Sequence, residues 1–144
     1  MKKFLAIATT TAMTGGLLMA MMIGPAQASA SCTGSASSPV TSGGSMSSTG
    51  SGQCSGVASV KIQVCLQTAF HNPGGTTWSN WVCNSKTPAP GVTVTVTAST
   101  ACAVGHTYHV RTRMLAQGFN SSGKVIASRT KYAPSSSGED LTCQ

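Results

Sequence analysis

The chain has 144 residues and a formal net charge of +7, and its only acidic side chains are the adjacent Glu139 and Asp140. This scarcity excludes a glycosidase, which needs two separate carboxylates, and a calcium loop, which needs several carboxylate ligands. No buried carboxylate is evident to support a Ser-His or Cys-His nucleophile either, so we expect no enzyme activity and no cofactor.

The N-terminus predicts a signal peptide, assigned to residues 1–30. Two lysines follow the initiator methionine, and an uncharged stretch of apolar and small residues follows them. Small residues then allow cleavage after Ala28 or after Ala30. A retained transmembrane anchor would need about 20 strongly apolar residues, and this segment is diluted by Thr and Gly. We therefore expect a secreted, extracellular protein with no membrane span after cleavage.

Cleavage leaves a basic chain that contains every cysteine. The six are Cys32, Cys54, Cys65, Cys83, Cys102 and Cys143. An even number of cysteines in an oxidising compartment indicates disulfides, and no two of them have the close spacing of structural zinc ligands. Several connectivities are possible, and proximity along the predicted strands favours Cys32–Cys54, Cys65–Cys83 and Cys102–Cys143. We predict no metal site, because His71, His106 and His109 are also poorly spaced for one.

Residues 31–53 are almost entirely Ser, Gly and Thr, which predicts a flexible surface segment that Cys32 and Cys54 close on itself. From 54 to 144 the pattern changes to the period of two that is typical of strands with one buried face. The sequence therefore predicts an all-β, antiparallel, immunoglobulin-like or fibronectin III-like sandwich over residues 54–144, stapled by disulfides.

Three predicted elements make up this domain. A long hairpin begins with the alternating residues after Ser59, turns at residues 71–75, and returns through residues 78–83. A β-branched run predicts a strand over residues 92–98. A second hairpin runs from Tyr108 to Tyr132, and a two-residue tip at Ser121-Ser122 would place Gly118 opposite Val125.

The last third of the chain resembles a known architecture. The sequence Gly105-His106-Thr107-Tyr108-His109-Val110-Arg111, with the turn Asn120-Ser121-Ser122-Gly123, is similar to the final hairpin of fibronectin type III domains. The resemblance implies that the Tyr108 hydroxyl bonds to the backbone at the strand corner. The segments around Cys65 and Cys83 also resemble small secreted proteins of Gram-positive, actinobacterial type, a resemblance that implies a fold and little about function.

Two groups of side chains are candidate ligand-binding residues. Arg111, Arg113, His109 and Tyr132 share the outer face of the last hairpin, where arginine side chains suit a carboxylate, sulfate or phosphate. Alternatively, they form a solvated face that prevents edge association. Trp78 and Trp81, with Phe70 and His71, could form an aromatic platform for a sugar or peptide, although alternation sends the two tryptophans to opposite faces unless a bulge intervenes.

These observations favour a non-catalytic protein with a binding, adhesion or structural role at the cell exterior. The partner is unknown; its positive charge suits an anionic cell-wall polymer, and an extracellular protein is also possible. Nucleic acid is not expected, because the chain has no basic run interleaved with aromatics. An alternative is an inhibitor of an extracellular protease that presents residues 70–77 or 85–91, and a third is a carrier of an apolar small molecule between the sheets.

Overall fold

The computed structural model describes residues 28–144, and this part of the chain contains nine β-strands and no helix. The strands are β1 (Ser31–Ala36), β2 (Val40–Ser42), β3 (Ser45–Ser55), β4 (Ser59–Asn72), β5 (Gly75–Lys86), β6 (Val94–Ala101), β7 (Thr107–Phe119), β8 (Val125–Ala133) and β9 (Glu139–Thr142). The predicted signal peptide lies outside the described residues, apart from the stretch next to its two cleavage sites.

The strands form two antiparallel sheets that pack face to face, which confirms the predicted all-β class. In sheet A, β3 is central, with β1 and β2 along one edge and β6 along the other. In sheet B the order is β5-β4-β7-β8, and β9 pairs with the part of β7 that precedes the β8 contact.

The prediction that residues 31–53 are flexible is wrong, because they supply β1, β2 and most of β3. Along β3 the residues alternate between buried and outward positions: Met46, Ser48, Gly50, Gly52 and Cys54 face inward, and Ser, Thr or Gln alternate with them. Low hydrophobicity misled the prediction, since a sheet made of small residues can still pack when the facing sheet supplies the volume. The domain therefore begins near residue 31 rather than at Cys54.

Sheet B supplies that volume. The larger core side chains Ile62, Val64 and Met114 are all fully buried and lie against the small residues of sheet A. A Cβ built on Gly50 would lie 3.0 Å from Met114 Cγ, from Val64 Cγ2 and from the Ser35 carbonyl oxygen. Ordinary carbon–carbon contacts are about 3.5–4.0 Å, so a side chain at position 50 would fit only if these neighbours moved apart.

All three predicted disulfides are present in the structure. Cys32 lies directly opposite Cys54 in the β1–β3 pair, and Cys65 lies opposite Cys83 in the β4–β5 pair. The third bridge joins Cys102, just after β6, to Cys143, just after β9. Each sheet thus holds one internal bridge, and the third connects the end of sheet A to the end of sheet B.

The first predicted hairpin is confirmed as β4 and β5, and the register of the second is corrected. In the structure Gly118 pairs with Ala127 instead of Val125, a shift of two residues. The cause is a longer turn followed by a β-bulge. The Oδ1 of Asn120 accepts hydrogen bonds from the backbone N–H groups of Ser122 and Lys124 in the turn, and the register shifts again between Gly118 and Phe119. The shift preserves which face most residues occupy, but Val125, expected inside, is 41% exposed.

Side chains of sheet B close one open edge of sheet A. Asn84 Nδ2 donates to the Thr97 carbonyl and Lys86 Nζ donates to the Thr95 carbonyl, each at 2.9 Å. Both carbonyls belong to β6, whose N–H and C=O groups on this side face no neighbouring strand of sheet A. Covering an edge in this way satisfies backbone acceptors and hinders pairing with another chain.

Candidate functional site

The outer face of sheet B brings three of the predicted site residues into one stack. The Arg111 guanidinium carbon lies 4.0 Å from the ring centroid of Trp78 and 4.3 Å from that of Tyr132. Register explains the arrangement: Arg111 and Tyr132 are outward positions of neighbouring strands, and Trp78 is an outward position of β5. A cation held between two aromatic faces is favourable when it is partly removed from water.

Arg111 is only 9% exposed, and two of its three side-chain nitrogens donate hydrogen bonds inside the protein. Its Nε donates to Gln67 Oε1 at 2.8 Å, and its Nη1 donates to the Ser136 carbonyl. Burial lowers the pKa of Arg111 from its usual value; the nearby Tyr132 opposes this shift and Arg113 adds to it. The expectation that Arg111 meets an external anion is therefore corrected, because the side chain is enclosed and bonded.

His109 and Arg113 flank this stack. His109 Nδ1 lies 2.6 Å from Asp140 Oδ1, and its Nε2 lies 2.7 Å from the Ser137 carbonyl oxygen. Both neighbours are acceptors, which suits an imidazolium that donates from both nitrogens. The hydrogen bond to Asp140 is the main reason that the pKa of His109 is raised above its usual value, and the Ser137 carbonyl raises it further.

Arg113 is half-buried. Its Nη2 donates to Gln63 Oε1 at 3.3 Å, and its buried Nε has no hydrogen-bond partner among the described residues. The predicted group of Arg111, Arg113, His109 and Tyr132 thus does lie on one face. Its cationic groups are turned largely toward internal acceptors.

The two tryptophans lie on opposite sides of sheet B. A bulge in the β4–β5 pairing, between Leu66 and Gln67, leaves Trp81 without a partner in the register. Trp81 packs toward the core with Tyr108, their ring centroids 4.9 Å apart, whereas Trp78 lies over Arg111 on the outer face. The predicted platform of both tryptophans is therefore divided between two surfaces.

Trp81 nevertheless belongs to an open cleft at one end of the sandwich. The cleft has a volume of about 360 Å³ and is lined by Thr68, Phe70, Ser79, Asn80, Trp81 and Tyr108. It forms here because the β4–β5 hairpin extends beyond the pairing of β4 with β7, which ends at Thr68. Phe70 is 56% exposed as a result. Two members of the predicted platform, Phe70 and Trp81, therefore do come together.

A chain of hydrogen bonds runs along the outer face of sheet B beside the stack. Arg111 donates to Gln67 Oε1, and Gln67 Nε2 in turn donates to Asn80 Oδ1 at 2.7 Å. An arginine can only donate, so it fixes which end of the Gln67 amide faces which neighbour. No pattern in the sequence points to Gln67 or Asn80, because the bulge that aligns them is not visible in the alternation of polar and apolar residues.

Asp140 was also missed as a partner of His109. The two residues are far apart in sequence and meet only because β9 pairs with β7 in the register that places His109 opposite Asp140. The arrangement has the carboxylate–imidazole half of a triad, but the Nε2 of His109 faces a backbone carbonyl rather than a hydroxyl nucleophile. As folded, this pair holds the segment between β8 and β9 in place.

The structure also bears on the inhibitor, carrier and metal-site expectations. The hairpin tip in 70–77 and the connection in 85–91 are exposed, as the inhibitor alternative requires. The space between the sheets is filled by buried side chains, which counts against a carrier that opens there. Within residues 28–144 no cluster of three or more His, Cys, Asp or Glu side chains is placed to hold a metal.

The described part of the chain contains no helix with the length and apolar character needed to span a membrane. The Tyr108 hydroxyl accepts a hydrogen bond from the backbone N–H of Ala103 at 3.2 Å, a bond of the kind that the resemblance implies.

In comparisons with known proteins, no family model matches the chain, and neither curated proteins nor solved structures gave a match.

Proposed function

We propose that this protein is exported, loses its signal peptide and acts outside the cell as a non-catalytic binding domain. Support comes from the three disulfides, which are typical of an oxidising environment and of small domains that need added stability. The two lysines near the N-terminus and the uncharged apolar stretch after them support export through a cleaved signal peptide.

We further propose a fibronectin type III-like arrangement. The strand order supports it: β1, β3 and β6 are neighbours in one sheet, and β5, β4, β7 and β8 are neighbours in the other, with the short strands β2 and β9 added to these sheets. The hydroxyl of Tyr108, near the start of β7, bonds to the backbone a few residues upstream, as the corner tyrosine of such sandwiches does.

The cleft is the observation that carries the binding role. A volume of about 360 Å³ falls in the range of small-ligand sites, and the lining combines three aromatic residues with three polar residues. Phe70 is largely exposed there, which costs free energy in an isolated protein and is recovered when a ligand covers the ring. On the outer face of sheet B, by contrast, Arg111 and His109 are already hydrogen-bonded to acceptors within the protein.

A retention experiment tests this function. The full chain is expressed in a secreting host, the exported protein is immobilised, and cell-wall and culture fractions are passed over it. We expect retention of a specific component by the unaltered protein and its loss with Phe70→Ala. The matched control is Ile126→Ala, which removes another exposed apolar side chain near the start of β8, at the other end of the sheet from the cleft, and should bind normally.

Three results would overturn parts of the proposal. Equal retention by the Phe70→Ala protein would remove the cleft as the site. Turnover of substrates in a broad hydrolase screen would remove the non-catalytic role. Mass spectrometry that finds the initiator methionine on the mature protein, instead of a start at Ser29 or Ser31, would remove export by signal cleavage.

A further inference from the structure

We propose that the segment between β8 and β9, residues 134–138, is a strap that closes over the outer face of sheet B while His109 is an imidazolium and opens when His109 loses its proton. Opening uncovers Trp78 and releases one nitrogen of the Arg111 guanidinium. The strap lies on the face opposite the cleft, so this inference goes beyond the proposed function and does not depend on it.

Two backbone carbonyl groups hold the strap to the sheet. The Ser136 carbonyl accepts a hydrogen bond from Arg111 Nη1, and the Ser137 carbonyl oxygen lies 2.7 Å from His109 Nε2. A carbonyl group can only accept, so each of these bonds requires a donor on the sheet. Arg111 is always a donor, whereas Nε2 of His109 is a donor only when it carries a proton.

The strap buries little apolar surface of its own. Its sequence is Pro134-Ser135-Ser136-Ser137-Gly138, and the first four of these residues are exposed. Gly138 lies against the Trp78 ring, so closely that a side chain built on this glycine would collide with the ring. A segment with few buried apolar contacts opens at little cost in free energy, so its hydrogen bonds to the sheet decide its position.

His109 and Asp140 form a charged clasp that acts on the strap. His109 Nδ1 lies 2.6 Å from Asp140 Oδ1, and both this oxygen and the Ser137 carbonyl oxygen are acceptors. A neutral imidazole has a single N–H group, so one of its nitrogens then presents a lone pair to an acceptor. A hydrogen bond to a carboxylate is stronger than one to a neutral carbonyl, so the single proton stays on Nδ1 and the bond to the strap is lost.

The groups around His109 set the pH range of this change. The hydrogen bond to Asp140 raises the pKa of His109 most, the strap carbonyl raises it further, and burial opposes both. From the end of β4, His71 faces His109 with the ring centroids 5.6 Å apart, β5 presents the uncharged ring of Trp78, and Arg111 is the next outward residue of β7. Positive charge on His71 or Arg111 repels the imidazolium. The strap is therefore closed below the ordinary histidine pKa of about 6.5 and opens as the pH rises through the raised value.

The accessibility of Trp78 to a neutral quencher measures opening. The full chain is exported with the substitution Trp81→Phe, which leaves Trp78 as its only tryptophan. Acrylamide quenching is followed between about pH 5.5 and about pH 9, a range that brackets histidine titration. We expect the open population to rise about fivefold, because an exposed ionic contact shifts an equilibrium only modestly. Proton NMR of the histidine rings follows the protonation of His109 in the same samples.

Two carboxylate substitutions separate the clasp from a general effect of charge. Asp140→Asn offers an amide N–H to His109 Nδ1, so a neutral imidazole keeps its proton on Nε2 and still donates to Ser137. We expect this strap to stay closed at both ends of the pH range. The matched control Glu139→Gln removes the same charge from the neighbouring residue, which pairs with Val110 instead of His109, and should keep the pH dependence. Thermal unfolding establishes that each variant is folded.

Each outcome decides one part of the proposal. Quenching of Trp78 that increases as His109 loses its proton, in the Glu139→Gln protein but not in the Asp140→Asn protein, supports it. Quenching that stays constant while His109 titrates overturns opening of the strap. Quenching that increases equally in the Asp140→Asn protein, or that loses its pH dependence in the Glu139→Gln protein, overturns the role of the clasp.

Discussion

The tight contact between β3 and sheet B predicts a large effect from a single added side chain. In Gly50→Val the first added carbon alone would lie 3.0 Å from Met114 Cγ, Val64 Cγ2 and the Ser35 carbonyl oxygen. The two methyl groups beyond it have no space, and the carbonyl belongs to backbone that is paired in sheet A. Overpacking a core costs about 1–3 kcal/mol for small additions, so three extra carbons should cost about 3 kcal/mol.

Chemical unfolding under non-reducing conditions, followed by tryptophan fluorescence, measures this change in the free energy of unfolding. A loss of about 3 kcal/mol corresponds to a drop in Tm of about 12 °C or more for a domain of this size. The control is Ser47→Val, which places the same side chain on the outward face of β3. There it meets no core residue and has good strand propensity, so stability should change by less than about 0.5 kcal/mol.

A second substitution identifies the contact responsible. Met114→Ala, combined with Gly50→Val, makes room for the valine, and the two changes together should cost less than the sum of their separate effects. A Gly50→Val protein that unfolds at the same denaturant concentration as the unaltered one would refute the packing argument. So would equal destabilisation by Ser47→Val.

Three further predictions concern the charged clasp, the disulfides and the covered edge. Because the pKa of His109 is raised in the folded state, the contribution of His109 to the free energy of unfolding is fully present below the ordinary histidine pKa and is lost as the pH rises through the raised value. His109→Gln should therefore lower Tm at about pH 5.5, by an amount worth less than about 1 kcal/mol, and should have little effect at about pH 9. An equal loss at both pH values would contradict this. Replacing Cys102 and Cys143 together by Ser should cost about 4 kcal/mol, more than removal of either other bridge, because this bridge closes the longest loop, with a sequence separation of 41; denaturant midpoints of the three double variants give the order. Replacing Asn84 by Leu and Lys86 by Met should leave the β6 carbonyls without their side-chain donors and increase concentration-dependent association, which light scattering would detect. A variant that stays monomeric would show that these donors are not needed to protect the edge.

The sequence predicts those parts of the fold that depend on local alternation. Val60, Ile62 and Val64 alternate with polar residues, and the structure buries all three in β4. The same parity places Arg111 and Tyr132 on one outer face even though the hairpin register is shifted by two residues, because a shift of two leaves each side chain on its original face.

What the sequence could not predict depends on partners that are distant along the chain. Residues 31–53 look flexible in isolation, and they form strands because Met114 and Val64 fill the space above Gly50. Similarly, the bulge that moves Trp81 into the cleft and aligns Gln67 with Asn80 appears only once β4 and β5 are paired. The aromatic residues of the candidate site could thus be predicted from the sequence, whereas the hydrogen-bond network on the other face of sheet B could not.

The unequal division of volume between the sheets has a consequence for how this protein tolerates change. On the outward positions of β3, exchanges among serine, threonine and similar residues touch little, whereas at Gly50 and Gly52 even one extra carbon meets the opposite sheet. The repetitive sequence of this segment suggests that it tolerates any small residue, but every second position is restricted by the core. Accepted substitutions in this segment should therefore follow the strand period, frequent at the outward positions and rare at the inward ones.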